Sequence, residues 1–551
     1  MEKINTIWQK SRDLLVRRQV SVFSAAVVIA FTYGVSMFLG LLRERLLVAR
    51  FYSCCRYSLD AYFAAFRLPD MVFQLVVIGA LSAAFIPVFS EKLQENEKEA
   101  YRLASALINL LLAFFLIVGI FIFIFAHPFS GMITGNFSPE QISLMANMTR
   151  LMLFAQLFFL VSNFFAAMIQ SHQRFLLPAL SPIVYNLGII VSVFFFSSRF
   201  GIWSAAYGVL FGSILHLLIQ VPLVIKLGFR YSLIFDVFSP GVRKVAKLMV
   251  PRTLALAISQ IEATVSLFLA TSLSPGSLTL FYLAQKLADL PVRFVGTSVG
   301  QAALPLFSLQ VARKENDAFK ASLLKSLNQV LFLSLPATAV FLVLRIQFVR
   351  FAYGAREFPW GATLATGYTM AAISLSVFTQ SAIQILVRAF YAVHDTVAPF
   401  IIGLLSVSLN IALSCLTIFV FKWGIFGLAL SFSVSNLLNF LLLLIMFNHR
   451  WEKIISRKEL FLWFKMICLS VFCGIGSWIS LRVLDTYVFQ TDRTIPLLFL
   501  TLISVVVGVI IYFGLAYFLK LKELTDLTGS FGRIKLFKKK LPVVEEVVET
   551  F

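Results

Sequence analysis

Fourteen runs of about twenty or more mostly apolar residues follow one another along this chain. They lie at 20–42, 59–90, 104–126, 146–171, 176–197, 201–227, 246–273, 278–310, 322–347, 361–392, 397–421, 424–447, 459–484 and 494–519. A bilayer core about 30 Å thick is crossed by about 20 helical residues. Inside lipid each backbone N–H and C=O must be satisfied within its own segment, so each run predicts a membrane-spanning helix. The expected fold class is an all-α polytopic membrane protein. Composition leaves little else open: 60% of the 551 residues are hydrophobic and 13% charged, against about 25% charged in a soluble domain. A soluble enzyme, a disordered chain and a disulfide scaffold are excluded.

The net charge of +21 sits mostly in short connectors between the runs. That placement points to anionic membrane lipids and topology control rather than nucleic acid. Most Lys and Arg fall with the termini and the even-numbered connectors, which predicts both termini on the cytoplasmic side. Residues 1–19 form a basic amphipathic segment. The run after it is too long for a signal-peptide core, so the segment is expected to be retained. Residues 520–551 form a basic cytoplasmic tail ending in Lys538-Lys539-Lys540 and Glu545-Glu546. The five cysteines lack metal-site spacing, the five histidines are scattered, and no phosphate-binding glycine loop occurs. No cofactor, metal or catalytic residue is expected, and the chain is not read as an enzyme.

The chain repeats itself at an offset of about 220 residues. Ala83-Ala84-Phe85-Ile86-Pro87-Val88-Phe89-Ser90 returns as Ala302-Ala303-Leu304-Pro305-Leu306-Phe307-Ser308. His172, Pro178 and Asn186 are matched by His394, Pro399 and Asn410, and Gly201-Ile202-Trp203 by Gly424-Ile425-Phe426. The expected organisation is an N-lobe at 20–227, a C-lobe at 228–447 and two further helices at 448–519. Six spans per half is an even number, so the halves are related by an axis along the membrane normal and enclose a central cavity.

Ionisable groups at membrane depth are costly unless they face a cavity or a partner, and here they mark the candidate site. No Gly or Pro interrupts Leu41–Tyr52, so a helix from Val20 to Tyr52 would be about 50 Å long. Arg43-Glu44-Arg45 then either lies at depth or projects toward headgroups. In the second run Asp60, Arg67 and Gln74 follow at seven-residue spacing, with Asp70 three from Arg67. In the eighth, Lys286, Asp289 and Arg293 again share a face, and Pro291 can kink that helix. Internal pairs that merely neutralise themselves are the alternative. Glu262 stands mid-run in the seventh span, suited to a coupling cation or proton, or to an arginine partner. Ser406 and Asn410 offer further oxygens, or bonds between helices. His216 reads as a hydrogen-bonded structural residue. A cationic cavity favours an anion, and several arginine forks favour a diphosphate. The tails of a lipid-linked substrate can stay in the bilayer meanwhile.

The segments Gly40-Leu41-Leu42-Arg43-Glu44, Ala49-Arg50-Phe51, Asp60-Ala61-Tyr62-Phe63, Ala65-Phe66-Arg67-Leu68-Pro69-Asp70 and Gly79-Ala80-Leu81-Ser82-Ala83-Ala84-Phe85-Ile86-Pro87 resemble the N-terminal signature of the MurJ (MviN) lipid II flippases. Ser259-Gln260-Ile261, Tyr282 to Leu287, Gly300 to Pro305 and Phe351-Ala352-Tyr353-Gly354 continue the likeness. The resemblance implies fourteen helices in two lobes of the MOP flippase superfamily, in a bacterial inner membrane. It implies alternating-access export of lipid II, the undecaprenyl-diphosphate-linked peptidoglycan precursor; separately, a monomer is expected. Arg43 stands at the family's first-helix arginine, Asp60 at its second-span aspartate, and Lys286 where the eighth helix usually has Arg. Met37 and Phe73 stand where Arg is usual, and Ile78 where an acid is. Two phosphate contacts are therefore missing, and Arg45 and Arg293 are expected to replace them beside Arg67. Export of another polyprenyl-diphosphate-linked glycan or amphipathic anion, or a non-transporting scaffold, are the other readings.

Overall fold

A computed structural model describes residues 22–78, 85–354, 358–451, 455–489 and 493–526. The basic segment 1–19, most of the tail and the signature residues 79–84 lie outside these. The described residues form helices joined by short turns, with no strand among them. The helices are α1 (Val22–Ala65), α2 (Arg67–Phe73), α3 (Ile86–Glu95), α4 (Glu97–Ile124), α5 (Pro139–Ser171), α6 (Leu176–Phe200), α7 (Trp203–Leu218), α8 (Pro240–Thr271), α9 (Ser277–Pro291) and α10 (Ser298–Ala312). There follow α11 (Asn316–Val343), α12 (Trp360–Ser374), α13 (Val377–Ala392), α14 (Val397–Cys415), α15 (Gly424–Arg450), α16 (Arg457–Tyr487) and α17 (Thr494–Phe518). Short helices at Ala126–Ile133, Val221–Lys226 and Arg345–Tyr353 complete the set.

Ten helical stretches among the described residues are long and apolar enough to cross a membrane. They are α4, α5, α6, α7 with its extension to Lys226, α11, α12–α13, α14 continued to Val420, α15, α16 and α17. The other four expected spans, 20–42, 59–90, 246–273 and 278–310, fall on α1, α2–α3, α8 and α9–α10, which are not among these ten. The helices α1, α2, α8 and α9 carry Arg43, Arg45, Asp60, Arg67, Asp70, Glu262, Lys286 and Asp289, and Arg293 lies just beyond α9.

Helix starts follow local chemistry. The side chain of Asn96 accepts hydrogen bonds from the backbone N–H groups of Lys98 and Glu99 to begin α4. Ser138 and Gln141 form a reciprocal capping box ahead of Pro139, and Ser239 caps α8 in front of Pro240. α1 runs unbroken through Leu41–Tyr52 and leaves helical geometry only at Cys55 (φ −144°, ψ 40°). There the sulfurs of neighbouring Cys54 and Cys55 are joined, a pairing not expected from a cysteine count without a disulfide framework. It accompanies a local departure from the helix.

The repeat is visible in the backbone. Gln173 and His394 both adopt positive φ, 59° and 61°, and so do Gly201 and Gly424, 54° and 60°. A π-helical segment holds the last residue of each polar stripe, Gln74 in Gln74–Ile78 after α2 and Arg293 in Val292–Thr297 after α9. Pro291 ends α9 just before the second of these.

Two compact units interleave along the chain. The first holds Met1–Leu283, Ala352–Thr366 and Val407–Ser431. In it α6 and α7 approach backbone to backbone. A Cβ on Gly188 would fall 2.7 Å from the Cα of Gly212, and one on Gly212 would fall 2.7 Å from the carbonyl oxygen of Tyr185. Small residues at such crossings let dispersion contacts hold helices where lipid gives no hydrophobic drive between them. His216 lies buried between α5 and α7, with Nδ1 2.6 Å from the hydroxyl of Ser162, which also accepts from Gln220 at 2.7 Å. This is the hydrogen-bonded histidine the sequence suggests. The second unit holds Ala284–Phe351, Gly367–Ser406 and Phe432–Phe551. Its core joins Phe307, Phe319, Phe332, Phe390, Phe447 and Tyr512. α16 packs on α11 and α17, with Trp463 donating to Asn328 at 2.7 Å and Tyr512 to the carbonyl of Phe332 at 2.8 Å.

Gly212→Val tests the α6–α7 crossing. Forcing these backbones apart is expected to cost about 1–3 kcal/mol, read as a lower thermal midpoint of the purified protein in detergent. An unchanged midpoint contradicts the close approach.

Candidate functional site

Because α1 is continuous, the triplet Arg43-Glu44-Arg45 lies well inside a helix, and its side chains diverge by about 100° per residue. Arg43 is directed at α6. Its Nη1 donates to Oδ1 of Asn186 at 3.1 Å, its Nη2 to Oε1 of Glu44 at 2.5 Å, and its guanidinium lies 5.9 Å from the ring centre of Tyr185. The Arg43 side chain is 14% exposed and that of Glu44 fully buried. Pairing makes this burial tolerable, and removing one member of such a pair costs about 3–5 kcal/mol. Among the described residues, Nε of Arg43 is buried without a hydrogen-bond partner. Arg45 turns elsewhere: its Nη2 donates to the carbonyl of Gly354 at 3.0 Å.

The stripe on α1 and α2 is engaged as well. Arg67 donates from Nε to the Thr264 hydroxyl at 2.9 Å, and from Nη2 to the carbonyl and the Oε1 of Gln260, each at 2.7 Å. It thus ties α2 to α8 through neutral oxygens. Asp70 accepts from Gln156 of α5 at 2.6 Å. Asp60 is 2% exposed and accepts the N–H of Gly276 at 2.6 Å, the N–H of Thr279 at 2.9 Å and the Thr279 hydroxyl at 2.6 Å. These are the free donors at the start of α9, so Asp60 caps that helix from α1 and opposes its positive end.

Glu262 of α8 accepts from Nδ2 of Asn410 on α14 at 2.9 Å, and Oδ1 of Asn410 accepts from Ser414 at 3.3 Å. Ser406, one turn earlier on α14, does not join them. It donates to the carbonyl of Ser435 at 2.7 Å in the second unit. Lys286 and Asp289 are half-buried and Arg293 exposed, and all three belong to the second unit. Phe73 is buried with its ring 6.4 Å from that of Phe159. Phe159 in turn meets the edge of Tyr185 at 5.1 Å. The place where an arginine is usual in the resembled family is therefore aromatic packing. Among the described residues no three His, Cys, Asp or Glu are arranged to hold a metal.

Sequence reasoning did not assign Tyr185, Gln156, Gln260, Thr264 or Thr279 to the site. Asn186 carried a signal as the repeat partner of Asn410, yet nothing in the sequence named the group it would hold.

The profile of the family "Lipid II flippase MurJ" matches residues 55–516. A Bdellovibrio bacteriovorus protein named "probable lipid II flippase MurJ" is 27% identical over 516 residues, spanning 92% of this chain and 97% of that protein. A solved lipid II flippase MurJ in an inward closed conformation superposes with a TM-score of 0.73 at 25% identity, over 90% of this chain and 99% of that one. An inward-facing multidrug resistance MATE transporter of the MOP superfamily shares the fold, with a TM-score of 0.62 at 13% identity, over 76% and 95% of the two chains.

Asp60→Ala would leave the donors opening α9 without their acceptor, an expected cost of about 1–3 kcal/mol. Hydrogen exchange at residues 276–280 should rise while exchange in α11 stays level. Protection at 276–280 equal to that of the unmodified protein would contradict the capping role.

Proposed function

Since the chain belongs to the MurJ family of lipid II flippases, we propose that it carries lipid II from the cytoplasmic to the outer leaflet by alternating access. The diphosphate is gripped by Arg43, Arg67, Lys286 and Arg293, with Arg45 and Asp60 beside them. The polyprenyl chain stays in the bilayer while the headgroup passes through a cavity between an N-lobe at 20–227 and a C-lobe at 228–447. The protein is multi-pass, sits as a monomer in the bacterial cytoplasmic membrane with both termini inside, and attracts anionic lipids through its basic connectors. It moves its substrate without chemistry on it. Glu262, with Asn410 as its hydrogen-bond donor and Ser406 nearby in sequence, takes the role of coupling a cation or proton.

The observation that carries this reading is Arg43. A guanidinium set in the middle of a long helix, with a buried carboxylate on one terminal nitrogen and an unmatched Nε, is suited to a further anionic oxygen. Charge-assisted hydrogen bonds of this kind contribute about 1.5–3 kcal/mol each. Arg67 fits a cycle of exchange. Its partners on α8 are neutral oxygens, which phosphate oxygens outcompete once α2 and α8 part. Arg45 is held by Gly354 in this conformation, so its part in the grip requires that bond to open.

Rescue of a host depleted of its own lipid II flippase tests the assignment, scored as lipid II accessible from outside. The unmodified chain should rescue. Arg43→Ala, at equal expression, should lower export by about 10- to 100-fold, the loss of one charge-assisted contact. Arg293→Ala should fail to rescue, and full activity of that variant refutes its place in the grip. Lipid II trapped on the cytoplasmic leaflet despite good expression of the unmodified chain would remove the assignment itself.

A further inference from the structure

The partner of Arg43 is itself fixed in place. Asn186 is buried on α6, and its Nδ2 faces three acceptors: the Ser36 carbonyl at 3.2 Å, the Ser36 hydroxyl at 3.4 Å and the Pro182 carbonyl at 3.0 Å. With its donor end so occupied, the amide can present only Oδ1 to the guanidinium. Tyr185, the preceding residue, supplies the ring face beneath the same group. Two successive residues of one helix thus hold an edge and a face of one guanidinium.

The second half repeats the device with the charge reversed. Glu262 stands 262 − 43 = 219 residues after Arg43, and Asn410 stands 410 − 186 = 224 after Asn186, both close to the repeat offset. There the amide offers Nδ2 to the carboxylate at 2.9 Å. An asparagine amide carries an acceptor at one end and a donor at the other, so one residue type can orient a cation in one half and an anion in the other. The shared feature of the two halves is the orienting of an ionisable group on the first helix of each repeat.

We propose that Asn186 is a positioning residue for diphosphate binding, holding Nη1 of Arg43 so that the guanidinium meets Glu44 through Nη2 alone and keeps the orientation a substrate requires. The proposal rests on the reading that Arg43 meets the diphosphate. Glu44 lies 2.5 Å from Nη2 and is the competitor. Without Asn186 on Nη1, that nitrogen can join Nη2 on the Glu44 carboxylate in a two-pronged pair, the preferred arginine–carboxylate geometry, which turns the guanidinium away from a ligand.

The test measures binding of a polyprenyl diphosphate to the full chain in lipid nanodiscs, with the thermal midpoint recorded for each variant. Asn186→Ala is expected to weaken binding about tenfold with a midpoint near that of the unmodified protein. Asn186→Ser, a milder truncation, provides the same comparison should the alanine variant fold poorly. The double variant Arg43→Ala/Asn186→Ala should bind no more weakly than Arg43→Ala alone. Adding Glu44→Gln to Asn186→Ala should recover part of the affinity, which a purely structural role for Asn186 would not produce. Asn186 variants that bind as the unmodified protein while Arg43→Ala fails overturn the inference and leave the Arg43 reading intact. So does a loss from Asn186→Ala that adds fully to that of Arg43→Ala. If Arg43→Ala itself binds undiminished, the Arg43 reading fails first, and the inference with it.

Discussion

The cost of holding charge in a medium that cannot solvate it governs this structure. A lone carboxylate or guanidinium taken out of water is penalised by several kcal/mol even after relaxation. Most of the described ionisable side chains on α1, α2 and α8 discussed above accordingly end on a named oxygen or nitrogen. Arg43 meets Asn186 and Glu44, Arg67 meets Gln260 and Thr264, Asp60 meets the start of α9, and Glu262 meets Asn410. These bonds also join helices far apart in sequence. The groups that make the chain expensive to embed are the ones that cross-link its first compact unit.

Much of the architecture is legible from hydropathy and local chemistry because both act within one segment. Apolar run length marks the helices, and the Leu41–Tyr52 stretch without Gly or Pro forecasts the unbroken course of α1, but the capped starts at Glu97, Pro139 and Pro240 fall ahead of the runs expected at 104, 146 and 246. The repeat is legible too, though the sequence pairs His394 with His172 whereas the left-handed backbone pairs it with Gln173. Partnership is far less so. That Asp60 would cap α9 depends on residues 216 and 219 positions away, and that Arg45 would reach Gly354 depends on one 309 away. A shared helix face gives the direction of a side chain but not what packs opposite. Ser406 and Asn410 illustrate the limit. Spacing puts them on one face of α14, yet one meets the Ser435 carbonyl and the other Glu262.

The two halves also show how a duplicated scaffold diverges. Arg67 and Lys286 keep the same sign at equivalent positions, as do Asp70 and Asp289, whereas Arg43 and Glu262 have opposite signs. Backbone features recur where the charge does not. Helix geometry is set by many residues at once and resists change, while one substitution inverts a charge once a neutral amide stands ready to serve either sign.

The π-helical segments at the ends of the two polar stripes bear on how such helices can move. A π turn accommodates one residue more than an α turn between hydrogen-bonded groups. Relaxing it into α geometry swivels everything beyond it by about 100° around the helix axis, the angle of one residue. The one-residue difference at Gln74–Ile78 and Val292–Thr297 therefore couples any relaxation of either turn to a rotation of the rest of the stripe before it relative to the chain after it.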